Sequence, residues 1–109
     1  MMKEIDPDGL RTLLDMGKSL HLLDIRTQEE VAASGRLPRA EHLPMHLLPT
    51  SLHQLPRDKD LILYCRSGNR SFHASVFLAQ QGFHNVVNLR EGILGWARRG
   101  YEIETRAAA

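Results

Sequence analysis

The chain is short of the things that would place it in several common classes. Among its 109 residues there is one cysteine, which excludes an internal disulfide framework and any thiolate-rich zinc site. The longest unbroken apolar run is Leu61-Ile62-Leu63-Tyr64-Cys65, far below the roughly 20 residues a bilayer-spanning helix needs. The opening MMKEIDPDGL has no apolar stretch of about 7–15 residues, so no secretory signal is read there. Fourteen Lys and Arg against thirteen Asp and Glu leave a net charge of +1, and no general attraction to nucleic acid or membrane follows. These absences predict a soluble, cytoplasmic protein.

What is present reads as one compact unit. At 12.4 kDa the length fits about one domain, and 42 % hydrophobic with 25 % charged residues is the ordinary globular balance. No Gly/Ser/Pro linker divides the chain, so residues 1–109 are expected to form a single domain, with 104–109 a frayed tail. Asp6-Pro7 before Leu10, Leu13 and Leu14 predicts a capped helix stopped near Gly17. Leu20 to Ile25 is a short apolar run suited to a buried strand. Thr27 and Glu30 have capping-box spacing, so a short helix should follow. Residues 35–60 hold four of the five prolines and should be loop and short helical turns.

Leu61–Tyr64 is the strongest strand, apolar on both faces as in a covered parallel sheet. Ala74, Phe77 and Leu78 recur at helical spacing between Arg70 and Gln81. Val86–Leu89 is a further strand, and Glu91–Arg99, with Ile93, Leu94 and Trp96, a last amphipathic helix. Strands alternating with helices predict an open α/β sheet, whose ligands sit beyond the carboxyl ends of the strands.

The one cysteine falls at such an end. Cys65-Arg66-Ser67-Gly68-Asn69-Arg70-Ser71 joins the best strand to a helix N-terminus through a tight loop. A loop of this kind can turn successive backbone N–H groups inward around an anion. The thiolate is the nucleophile, and lowering an ordinary cysteine by about two units raises its ionised fraction at neutral pH from ~3 % to roughly three quarters. Helix terminus, amides, Arg66 and Arg70 are all available to do this. A cysteine that is merely a small buried hydrophobe has no use for two arginines and a glycine around it.

Five segments in order give the chain its resemblance to the single-domain rhodanese (thiosulfate sulfurtransferase) family, from Leu22 to about Ile103. They are Leu23-Asp24-Ile25-Arg26 with Glu30; Gly35 to Ala40 with Leu43-Pro44; Cys65 to Ser71; Gly82 to Val86; and Asn88 to Ile93 with Trp96. The resemblance implies a five-stranded, mostly parallel sheet with helices on both faces, and a persulfide on Cys65. It also implies that Asp24 hydrogen-bonds loop amides and that Arg26 pairs with Glu30, both as supporting groups together with Ser71. Arg36 and Arg39 stand where the family usually has His and Gly, and Glu91 where a second glycine is common. Phosphatases and arsenate reductases of this fold place five residues between Cys and Arg; here four separate Cys65 from Arg70, which suits a sulfane sulfur.

The function expected is therefore sulfur transfer from thiosulfate or a related donor to a thiophile, by double displacement at Cys65. The acceptor would be cyanide in vitro and a thiol or protein in the cell. Arg66, Ser67, Gly68, Asn69 and Arg70 would hold the substrate. A persulfide carrier serving a protein partner is the alternative, and a phosphatase or arsenate reductase the third reading. No cofactor is expected and no metal, since Pro44 between His42 and His46 breaks the helix that would align them. His73 and the remaining arginines read as solvated surface, Trp96 as core, and the protein as a monomer.

Overall fold

A computed structural model describes residues 2–105. Five strands, β1 (Lys3–Ile5), β2 (Leu20–Asp24), β3 (Glu41–His42), β4 (Asp60–Tyr64) and β5 (Val86–Leu89), form one sheet. Its order is β1-β5-β4-β2-β3, and every pairing is parallel. Four α-helices alternate with the strands: α1 (Pro7–Asp15), α2 (Gln28–Ser34), α3 (Asn69–Gln80) and α4 (Gly92–Arg98). Two 3-10 turns, Met45–Thr50 and Leu52–Gln54, fill the proline-rich stretch. The α/β sheet expected from the sequence is thus present.

The helices begin where their caps dictate. Asp6 accepts the Gly9 N–H at 2.7 Å with Pro7 in the first turn. Thr27 and Glu30 close a reciprocal capping box. Because side chains alternate along a strand, each central strand feeds two cores. Leu22, Ile62, Tyr64, Val87 and Leu89 meet α1 and α4 through Leu10, Ile93 and the fully buried Trp96. On the opposite face Leu23, Leu61, Leu63 and Val86 meet α3 through Ala74 and Leu78. Cys65 continues the parity of Leu61 and Leu63 and lies on this second face. Asn88 is the register partner of Leu63, which turns it to the same side.

Two strands were not legible as apolar runs. β1 is Lys-Glu-Ile and β3 is Glu-His, both polar because they are short edges. The expected tail also needs correcting. Glu104 forms an antiparallel bridge with Arg36, with N–H···O distances of 2.8 and 2.9 Å, so the chain is tied down as far as that residue; 106–109 lie outside the described residues. Among the described residues no helix is long and apolar enough to cross a membrane.

Candidate active site

Cys65 follows the last residue of β4, the central strand, at the carboxyl edge of the sheet. The helix after it, α3, starts from Gly68 in the left-handed region (φ 98°) with no side-chain cap. Uncapped helix amides need an acceptor, and the sulfur supplies it. Cys65 Sγ receives the Gly68 N–H at 3.2 Å and the Ser71 N–H at 3.4 Å, and the Ser71 hydroxyl lies at 3.4 Å. The thiol is 1 % exposed. Burial pushes its pKa up, but the Ser71 hydroxyl and the amides of Ser71, Gly68 and Ser67 more than offset this, leaving Cys65 below the ordinary thiol value.

The loop amides point inward because its carbonyls are held outward. Ile93 N–H donates to the Cys65 carbonyl at 3.0 Å, and Leu94 N–H to the Arg66 carbonyl at 3.1 Å. This requires the start of α4 to press against the loop. A Cβ at Gly92, where φ is 58°, would lie 2.5 Å from both carbonyl oxygens. Glycine is thus the residue this contact admits.

The two loop arginines differ. Arg66 is exposed and makes no ion pair among the described residues. Arg70 is clamped to Glu30 of α2 by two hydrogen bonds of 2.7 Å, the bidentate geometry that favours Arg. The Arg70 guanidinium holds the Glu30 carboxyl at about 2. Arg70 therefore reaches the site with its charge already matched. Each member of the pair lines a different hollow. One of about 340 Å³ is lined by Arg26, Glu30, Arg66, Ile93 and Leu94; the other, of about 330 Å³, by Ile25, Pro44, Met45, His46 and Arg70.

The expected contacts of Asp24 and Arg26 are corrected. Arg26 does not pair with Glu30, and the Asp24 carboxylate is not spent on the cysteine loop. The two pair with each other, both fully buried, through contacts of 2.6–3.1 Å that include the Arg26 backbone N–H. Arg26 also donates to Ser34 Oγ and to the Gly35 carbonyl, and its guanidinium lies over the Tyr64 ring. A buried pair this fully hydrogen-bonded fixes the β2–α2 corner.

Of the other expected binding residues, Ser67 and Asn69 are exposed on the rim and Gly68 is buried beneath. Ser71 sits at the sulfur and is fully buried. His42 Nε2 lies 2.7 Å from the Arg26 carbonyl, and His73 is exposed on α3. Among the described residues, no group of three or more His, Cys, Asp or Glu is placed to hold a metal ion. Sequence reasoning missed Asn88, whose side chain contacts both Ser71 and the Gly68 carbonyl. Its one available signal was a polar residue inside an otherwise apolar strand.

The chain is similar to known proteins over most of its length. A sulfurtransferase of Allochromatium vinosum is 47 % identical over 103 residues, covering 94 % of this chain and 95 % of its own. The putative sulfurtransferase YtwF of Bacillus subtilis is 37 % identical over 95 residues, covering 87 % and 90 %. The crystal structure of a rhodanese-related protein from Thermoplasma volcanium superposes with a TM-score of 0.85 at 28 % identity, covering 95 % of this chain and 99 % of that one. With residues 6–99 matching the rhodanese-like domain as well, the chain belongs to the rhodanese-like family.

Proposed function

We propose that the protein is a sulfurtransferase working by double displacement through a persulfide on Cys65. The observation that carries this is the sulfur itself: a lone cysteine at the end of the central strand, seated as the N-terminal acceptor of α3 and held below the ordinary thiol pKa. The Cys65 thiolate attacks the outer sulfur of thiosulfate or a related sulfane donor; the sulfur–sulfur bond of the donor breaks and sulfite leaves with its electron pair. The terminal sulfur of the persulfide then passes to a thiophile, regenerating the thiolate. The amides of the Cys65–Ser71 loop surround the charged sulfur in both states, and Arg66 offers the entering anion a free cation. With no second cysteine to attack the persulfide, the sulfur leaves to an outside acceptor.

Thiosulfate as donor is supported by a relative named thiosulfate sulfurtransferase GlpE in Pseudomonas syringae, 31 % identical over 103 residues. Intact mass after incubation with thiosulfate should rise by one sulfur atom and return to the starting value on adding cyanide. No adduct, or an adduct that persists in Cys65→Ala, overturns the reading.

A persulfide carrier acting with a protein acceptor is the second reading. A relative named putative sulfur carrier protein YrkF in Bacillus subtilis, 29 % identical and covered over 50 % of its length, favours it. A carrier loads one sulfur and turns over poorly with cyanide, whereas an enzyme for small thiophiles cycles.

A further inference from the structure

Ser71 has one hydroxyl proton and two neighbours to give it to. Its Oγ lies 3.4 Å from Cys65 Sγ and 2.6 Å from Asn88 Oδ1. Which atom of the Asn88 amide faces Ser71 is fixed from the far side. Asn88 Nδ2 has two hydrogens, and both are used: one goes to Glu4 Oε2 of β1 at 2.8 Å, the other to the Gly68 carbonyl at 3.2 Å. Both partners are acceptors only, so the nitrogen must face them and the oxygen must face Ser71. Cys65, Ser71 and Asn88 are each at most 1 % exposed, so water does not readily substitute for a missing partner.

With its proton on Asn88, Ser71 presents lone pairs to the sulfur. That suits a neutral thiol, whose S–H can be accepted by Ser71 Oγ. It does not suit a thiolate, which needs donors. When Cys65 ionises, the Ser71 hydroxyl turns its hydrogen from Asn88 to the sulfur, and the buried Oδ1 is left without a donor, at a cost. The thiolate is thus favoured by the loop amides and held back by Asn88.

We propose that Asn88 is a positioning residue that sets how readily Cys65 ionises, acting through the single proton of Ser71. The other charged groups on elements around the sulfur are Arg66 on the loop, Arg70 with its partner Glu30, the Asp24–Arg26 pair on β2, Glu91 and Arg90 at the start of α4, and Glu4 on β1. Of these only Glu4 loses a contact, the hydrogen bond from Asn88 Nδ2, when Asn88 is substituted; that effect does not pass through Ser71, and the Ser71→Ala background separates it.

The test is the titration of Cys65 followed by thiolate ultraviolet absorbance, which the single cysteine makes unambiguous and which needs no sulfur donor. Its failure is therefore separate from failure of the sulfurtransferase reading. Asn88→Ala frees the Ser71 proton for the sulfur and should lower the midpoint by about half a unit, roughly a threefold gain in thiolate at neutral pH. Ser71→Ala should raise it. In the Ser71→Ala background Asn88→Ala should have no further effect. An unchanged midpoint in Asn88→Ala, or an equal shift with and without Ser71, overturns the proposal. A second measurement needs no change at Asn88. In the unmodified protein the Asn88 side-chain amide resonances should move with the Cys65 midpoint, and in Ser71→Ala they should not. Resonances that stay flat in the unmodified protein overturn it equally.

Discussion

Arg70 and Glu30 are joined by two parallel hydrogen bonds of 2.7 Å, although forty residues separate them. The arginine five positions after the cysteine is therefore neutralised by α2 before any anion arrives. On the proposed function a dianionic donor would compete with the carboxylate for Arg70, and Arg66 is a cation with no ion pair among the described residues. Charge at this site is thus arranged asymmetrically: among the described residues Arg66 has no ion pair and Arg70 is matched by Glu30.

Releasing Arg70 should improve use of an anionic donor. In Glu30→Gln the side chain can still close the capping box with Thr27, so α2 keeps its start while losing the negative charge. The KM for thiosulfate should fall about threefold or more, on the scale of one screened charge interaction near the surface. Steady-state kinetics with cyanide as acceptor measure it. An unchanged or higher KM means that Glu30 aims Arg70 rather than restraining it.

The same pair gives the fold an acid-sensitive term. Arg70 holds the folded Glu30 carboxyl at about 2, against an ordinary value of 4.5. A lowered carboxyl contributes its stability above the unfolded value and loses it as pH falls through the folded one. The loss therefore lies between about pH 4.5 and 2. Arg70 is 40 % exposed and Glu30 28 %, so solvent screening limits the contribution to about 1 kcal/mol or less. Denaturant midpoints measured across that range should show a smaller fall in Glu30→Gln than in the unmodified protein.

How far the sequence reveals this site depends on the range of each contact. The Cys65–Ser71 loop is local: strand, glycine and helix start are adjacent in the chain, and the sulfur's donors lie within six residues of it. The interior strands β2, β4 and β5 are legible because burial on both faces makes them apolar. Edge strands β1 and β3 carry no such mark. The pairings that tune the site are not local. Glu30 and Arg70 meet only because α2 and α3 flank adjacent strands, and Glu4 reaches Asn88 across 84 residues because β1 adds to the far edge beside β5. The pairing of Arg26 with Glu30 is implied by the family resemblance alone; Arg26 precedes the helix and turns back into the buried Asp24 carboxylate two residues away, while Glu30 is taken by the distant Arg70.

The contact between α4 and the cysteine loop should be intolerant of a single methyl. In Gly92→Ala the new carbon would stand 2.5 Å from the Cys65 and Arg66 carbonyls, on backbone at φ 58°. Loop or helix must move, at a cost of about 2–4 kcal/mol. Gly17 is the control: its φ is 67° but nothing lies within 4 Å of the added carbon, so Gly17→Ala should cost only about 1 kcal/mol of left-handed strain. Moving the loop also withdraws amides from the sulfur, so Gly92→Ala should raise the Cys65 titration midpoint and Gly17→Ala should not.

The two departures from the family's glycines noted in the sequence are, among the described residues, the two non-glycine residues at positive φ, Arg39 at 68° and Glu91 at 73°. A left-handed backbone disfavours any side chain with a Cβ, so each position carries strain of about 1 kcal/mol. Their surroundings differ. Arg39 is exposed and makes no ion pair among the described residues. Glu91 accepts from the two terminal Arg99 guanidinium nitrogens, at 2.9 and 3.1 Å, which draws its carboxyl below the usual range and ties the two ends of α4 together. Arg39→Gly should therefore stabilise the protein by about 0.5 kcal/mol or less, strain relief of about 1 kcal/mol less the added freedom of glycine in the unfolded chain. Glu91→Gly relieves the same strain but leaves Arg99 only its contacts with Asp8 and the Gly95 carbonyl, so its denaturant midpoint should fall below that of Arg39→Gly. Equal gains from the two substitutions would show that the Glu91–Arg99 pair contributes nothing, and that the strain is relieved independently of what each side chain touches.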